Sequence, residues 1–268
     1  CIRDRYRFTT NTLTNLTVDY AGAGDQTINS TVGNYGALVT SGSGTKTLQG
    51  AIVVNNGVTL SSGTTLSTSA SNFNMTVGGW TNNGGTLSGG TSTVTLAGAG
   101  RTISGTTSTT FPALSVAAGA SFTMNNDNSC TGLTFVAGAT AGTLTHGGTS
   151  VLTVSGNVTL NQPTTAVTNA WNINAGSATV SGTVAVNATG NTANQIARID
   201  VTSGSLSVTG AVTLSVGTVS NNAQIRVGTG SVTFSSALTH NEGSLIFTGA
   251  GTMNFSSTYS FASGGLSL

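Results

Sequence analysis

The sequence predicts an all-β fold, a parallel β-helix (β-solenoid) of about ten coils of roughly 26 residues, each built from three short strands. Three observations predict it. First, one short pattern returns four times, as LTVSGNVTL (Leu152 to Leu160), ATVSGTVAV (Ala178 to Val186), LSVTGAVTL (Leu206 to Leu214) and VTFSSALTH (Val232 to His240). The third positions, Val154, Val180, Val208 and Phe234, are spaced by 180 − 154 = 26, 208 − 180 = 28 and 234 − 208 = 26. Second, apolar and small polar residues alternate within each copy, with Leu206, Val208, Val212 and Leu214 set against Ser207, Thr209 and Thr213. That is the period of a strand with one buried face, and a helix reading fails on it. Third, glycine and asparagine turn signals such as Asn55, Asn56, Gly57 and Asn82, Asn83, Gly84, Gly85 punctuate the chain about every 6 to 10 residues. A meander of antiparallel hairpins would share the long repeat, but about three strands per repeat favour a three-sided coil.

Composition supports order and narrows the partners. Charged residues make up 5% of the chain, against about 25% in ordinary globular proteins, and there are 38 Gly and 2 Pro. Such a polar, weakly charged chain could be disordered, yet Val, Leu, Ile and Phe recur at period two, which disordered chains lack. A net charge of +1 removes the electrostatic case for nucleic acid or an anionic membrane as the main partner. No apolar run approaches the roughly 18 residues needed to span a bilayer. The start also lacks a basic and apolar leader, so in an exported protein Cys1 would follow a processing event or the chain would be a fragment. Cys1 and Cys130 are too few and too far apart for a metal site; free thiols, a disulfide and a lipid on Cys1 stay open.

In chain order, residues 1–11 form an N-terminal arm or cap. Arg3, Arg5 and Arg7 alternate there with Ile2, Asp4, Tyr6 and Phe8, a pattern that suits an added strand. Residues 12–268 form a single β-solenoid domain. Leu13 to Val18, Ala21 to Ile28 and Thr45 to Leu60 open it, and Leu48, Gly50, Ile52 and Val54 repeat the spacing of Val154, Gly156, Val158 and Leu160. A longer echo joins AGAGDQTI at Ala21, AGAGRTI at Ala97 and TGAGTMNF at Thr248. Its intervals, 97 − 21 = 76 and 248 − 97 = 151, are near three and six repeats.

The segments TLQGAIVVNNGVTLSSGTTL from Thr47, MTVGGWTNNGGTLSGGTSTVTLAGAGRTISGTTSTTFPALSV from Met75 and VTSGSLSVTGAVTL from Val201 carry a resemblance. They are similar to the strand repeats of bacterial extracellular surface proteins, the adhesin-like and autotransporter-type β-solenoids. This resemblance covers nearly all of the chain after residue 11 and implies an exported protein of the bacterial surface with scaffold or adhesion duties. It supplies no catalytic residues to transfer.

Polysaccharide-cleaving β-helices need clustered carboxylates with basic partners, whereas the six acids here, Asp4, Asp19, Asp25, Asp127, Asp200 and Glu242, are scattered. The spacing of Asp200 and Arg226, 226 − 200 = 26, is one whole repeat, which places the two side by side on successive coils as a structural ion pair. His240 takes the position of Leu214, and His146 sits beside Gly147 and Gly148 as in a turn; two distant histidines do not make a metal site. Trp80 and Trp171 are candidates for stacking on sugars, with corner packing favoured for Trp80. T-x-T triplets such as Thr93 to Thr95 do not share a register, which sets aside a flat threonine array for ice. Neither catalysis nor a cofactor is expected.

The ends carry the functional expectation. Met253, Phe255, Tyr259, Phe261, Leu266 and Leu268 keep alternating to the last residue, an apolar edge able to continue strand pairing. With the arm of Cys1, Ile2, Arg3, Arg5, Tyr6, Arg7 and Phe8 at the other end, the reading is a self-assembling head-to-tail homopolymer in an extracellular filament or surface matrix. The alternative is an adhesin stalk, its edge open because the chain is cut from a longer repeat protein, or a binder of surface glycans; a polysaccharide-degrading enzyme is a distant third.

Overall fold

The computed structural model describes residues 13–190, 192–217 and 222–267, with the backbone alone for 261–267. Among these residues the chain is all β, without a helix, and winds as a parallel β-solenoid of about 11 turns. One central turn shows the plan: Val151–Val154 lies on one face, Val158–Asn161 on the next, Thr168–Ile173 on the third, and Ser177–Val180 stacks on Val151–Val154 again. The face holding Thr17–Tyr20, Trp80–Asn83, Thr168–Ile173 and Ile196–Val201 is called the first face below. The second face holds Gln26–Ile28, Val151–Val154 and Ser177–Val180, and the third holds Met75–Val77, Val158–Asn161 and Val184–Ala188. Several strands bend around a corner without losing strand geometry, as do Ile52–Ser61, Thr109–Val116 and Leu238–Phe247.

Period-two alternation becomes an inside and an outside. Parallel pairing sets equivalent residues of successive coils side by side, so Val154, Val180, Val208 and Phe234 form one internal column and Leu160, Val186 and Leu214 another. All of these are at most 1% exposed, and each buried side chain of this kind stabilises the fold by about 1.5 to 3 kcal/mol. The internal columns of the three faces meet along the axis, so the core is one continuous apolar rod.

Coil length is not constant. The step from a residue to its partner on the next coil is 37 − 17 = 20 for Thr17 and Ala37 and 177 − 151 = 26 for Val151 and Ser177. It is 205 − 177 = 28 for Ser177 and Ser205, then 252 − 231 = 21 for Ser231 and Thr252. The long repeat therefore belongs to the central coils, and the shorter outer coils raise the number of turns. The third-to-first corner absorbs much of the difference. It is folded into the strand Ile52–Ser61 near the start, swells to residues 136–142 and 162–167 in the centre, and returns to a bend within Leu238–Phe247. The AGAG echo is a corner signature and not a register mark, because Ala21 and Thr248 join the first face to the second while Ala97 joins the third face to the first.

Glycines sit where corners of adjacent coils touch. A Cβ on Gly182 would lie 2.4 Å from the Gly156 carbonyl oxygen, and one on Gly210 would lie 2.2 Å from that of Gly182. This contact explains the Gly of the S-G or T-G pair in the first three copies of the repeat. At the first-to-second corner a Cβ on Gly204 would lie 1.9 Å from the Gly176 carbonyl oxygen, whereas one on Gly24 would meet nothing within 4 Å. Gly204→Ala is therefore expected to destabilise the protein by about 1 to 3 kcal/mol through overpacking, and Gly24→Ala to leave it nearly unchanged. Urea denaturation of the two variants checks this, and equal midpoints would contradict the close-contact account.

Candidate functional site

Several polar groups inside the rod are held by named partners. Lys46 is fully enclosed on the second face, and its Nζ donates to the carbonyls of Gly22, Gly24 and Ser43, each at 2.8 Å. The register runs Gln26, Lys46, Leu66 along one internal column, so the ammonium takes an apolar position while neutralising the carbonyls of the AGAG corner. Sequence reasoning passes over Lys46. Its one signal is inward parity, between Thr45 and Thr47, which only a register for this irregular region could supply.

His146 ends the strand Thr143–His146 and points inward, fully buried, instead of lying in a turn. Trp171 Nε1 donates to His146 Nε2 at 3.1 Å. That leaves the proton on Nδ1, which donates to the Ser150 carbonyl at 3.0 Å. Both nitrogens are thus committed to the neutral ring, and burial lowers the pKa from its usual value, opposed by the Ser150 hydrogen bond. His240 pairs in register with Leu214, is fully buried and meets the Tyr259 hydroxyl at 2.9 Å through Nδ1. Cys130 stacks between Phe111 and Val154, and burial pushes its thiol up to about 12, which makes it an unreactive wall of the core.

The tryptophans also face inward. Trp80 and Trp171 are 1% and 0% exposed. Trp80 Nε1 donates to Thr109 Oγ1 at 2.9 Å, and its ring meets Phe111 edge-on at 5.0 Å. Neither ring offers a face to sugars at the surface, and Trp80 stands within the first face instead of at a corner.

Outside, hydroxyls stack as regularly as the core. On the second face Ser129, Thr153, Thr179, Ser207 and Thr233 share one register. On the third, Thr76, Thr95, Ser115, Thr134 and Thr159 do so, and on the first, Thr102, Thr123 and Thr145. The single-hydroxyl ladders keep register with Ser standing for Thr at many rungs, while the T-x-T triplets themselves do not recur, Thr93 and Thr95 pairing with Ala113 and Ser115. Since all three faces carry one, the ladder alone singles out no binding plane.

Charge is concentrated on the first face. Asp200 and Arg226 pair in register, with Arg226 Nη1 3.4 Å from Asp200 Oδ2; Arg198 Nε is 3.4 Å from the same oxygen. All three are partly exposed, so each contact contributes on the order of 0.2 to 1 kcal/mol, and the cluster keeps a net positive charge. Among the described residues no cluster of three or more His, Cys, Asp or Glu is placed to hold a metal ion, and no helix is long and apolar enough to cross a membrane.

The rod ends complete the picture. Cys1, Ile2, Arg3, Arg5, Tyr6, Arg7 and Phe8 lie outside the described residues, as does Leu268. Phe261 and Leu266 belong to the strand Tyr259–Ser267, which pairs with Leu238–Phe247. Met253 is partly buried against the core. Phe255 and Tyr259 are 41% and 38% exposed, their rings 5.2 Å apart, with Phe255 stacked on Phe234 at 5.5 Å. At the opposite end Leu16 is 57% exposed beside the first strand, Thr17–Tyr20. No family model, curated protein or solved structure matches the chain.

The His146 lock makes a prediction with a definite sign. The unfolded chain takes up a proton at about pH 6.5, while the folded ring resists it, so stability is full above that pH and falls as pH drops below it, by up to about 1.4 kcal/mol per pH unit. Denaturation midpoints between pH 7.5 and 5 should show this slope, and His146→Gln should reduce it. An unchanged slope in the variant would refute the assignment.

Proposed function

We propose that this chain is a structural, non-catalytic protein of an exported filament or cell-surface matrix in a bacterium, and that its rods join head to tail. One observation carries the reading: the aromatic pair Phe255 and Tyr259 continues the internal stack of the rod yet is more than a third exposed. Here the surface is of the kind that accepts a further coil, and the partner we assign is the first rung of another copy, where Leu16 is exposed and Val18 and Tyr20 are partly buried. A contact between unlike ends does not close on itself and generates fibres.

The interior supports a structural role. The residue types that usually carry chemistry are engaged in packing or pairing: His146 with Trp171, Cys130 in the core, and Asp200 between two arginines. The resemblance of the repeats to exported surface solenoids supports the location.

Electron microscopy of the purified full chain tests the reading. Uniform fibres one rod wide are expected from the unaltered protein. Phe255→Asp should give dispersed rods of about 50 Å, the length of about 11 rungs. Removal of residues 1–11 should weaken fibre growth if the arm covers the joint. Dispersed rods of the unaltered protein at all concentrations would overturn the proposal.

A further inference from the structure

We propose that the first face binds a linear, carboxylate-bearing polysaccharide lying along the rod axis, with Arg101 as its principal anchor. The site is a shallow groove of about 340 Å³ lined by Asn56, Gly57, Thr59, Thr81, Arg101 and Thr102, among others. Backbone geometry hollows it out. At the third-to-first corner Gly57 and Gly79 lie side by side on successive coils, Thr102 follows in the same register, and Gly100 precedes Thr102 with φ of 66°. A Cβ on Gly57 would lie 3.0 Å from the Gly79 carbonyl oxygen. Without side chains on the rungs of Gly57 and Gly79, a recess opens beside the first face between Ala37 and Thr102.

Its polar groups suit a chain of sugars. Thr59 pairs in register with Thr81 and Thr81 with Ser104, while Thr102, Thr123, Thr145 and Asn172 form the adjacent line on the same face. Together they give a hydroxyl or amide at each rung, about 4.8 Å apart, able both to donate to and accept from sugar hydroxyls. The lysines and arginines among the described residues are Lys46, Arg101, Arg198 and Arg226. Lys46 is sealed inside, and the other three all lie on the first face. Among the described residues Arg101 has no ion-pair partner, and Arg198 with Arg226 exceeds the single charge of Asp200. Asp19, the other acid on this face, sits at the first rung and accepts from the Ser41 hydroxyl. Arginine takes carboxylates through paired, charge-assisted hydrogen bonds.

The sparse cations and the missing stacking surface argue against a nucleic acid. Four rungs, about 19 Å, separate Arg101 from Arg198, so a polyanion of closely spaced phosphates would find few cations and release few counterions. Nor does the groove hold an exposed aromatic side chain on which bases could stack: among the described residues the exposed large apolar side chains are Leu16, Val136, Phe255 and Tyr259. The inference concerns a lateral face and does not depend on end-to-end assembly.

Calorimetric titration of the full chain tests it, with oligogalacturonate, alginate and hyaluronan as acidic probes, dextran as the neutral one and single-stranded RNA of matched charge as the competing polyanion. At least one uronate polymer is expected to bind, more tightly than dextran or RNA. Arg101→Gln should weaken that binding by about tenfold or more with the denaturation midpoint unchanged, Arg226→Gln should weaken it less, and Thr81→Val should do so by a few fold. Preference for RNA, equal binding of dextran, no binding of any uronate polymer, or full affinity in Arg101→Gln would each overturn the proposal. Phe255→Asp rods should bind as well as the unaltered protein, which keeps failure of this site distinct from failure of the filament reading.

Discussion

The constraint on which this structure depends is the parallel main-chain ladder between coils. The N–H and C=O groups of each strand pair with those of the next coil about 4.8 Å away, so each residue must have as neighbour the equivalent residue of that coil. Everything else follows from that enforced neighbourhood. An apolar residue at an inward position extends a column, as Val154, Val180, Val208 and Phe234 do, and a hydroxyl at an outward position extends a ladder. Glycine is required wherever the next carbonyl passes too near for a Cβ, as at Gly182 and Gly210. A rare residue type is tolerated only where the rungs on both sides can accommodate it.

Buried polar residues show how strict this is. Lys46 takes an inward position because the carbonyls of Gly22 and Gly24 on the preceding coil and of Ser43 on its own converge on it. Asn82 works similarly, its Oδ1 accepting from the backbone N–H groups of Gly84 and Gly85 and its Nδ2 donating to Ser108 and Thr109. Asn169 accepts from the Gly142 N–H and donates to the carbonyls of Val136 and Asn161. Each satisfies corner groups that no strand pairing reaches, and removing one would strand several buried partners at once. These residues fix the corners, while the apolar columns hold the faces.

The fold class and the central registers are legible in the sequence because the coils between Val151 and His240 keep a nearly constant length. Simple subtraction places Arg226 beside Asp200 and His240 on Leu214, as the pairing has them. It fails where the coils shorten, as between Thr17 and Ala37, for a changing length leaves no fixed interval to subtract. The same irregularity hides Lys46 and misassigns the AGAG echo. Trp80 and Trp171 are open to a surface reading because parity alone does not say whether a large ring fits inside; here each has an indole partner within the rod, Thr109 and His146. The groove at Arg101 is out of reach, since it is made by backbone from several separate coils.

The swollen third-to-first corner has a consequence for how such a protein can change. Added residues at 136–142 and 162–167 leave the rungs above and below in step, because the strand ladders resume on both sides. One longitudinal seam of the prism is therefore open to insertion while the rest is held to strict register. Along that seam a lineage could graft new loops, coil by coil, and alter what the rod displays without rebuilding what holds it together.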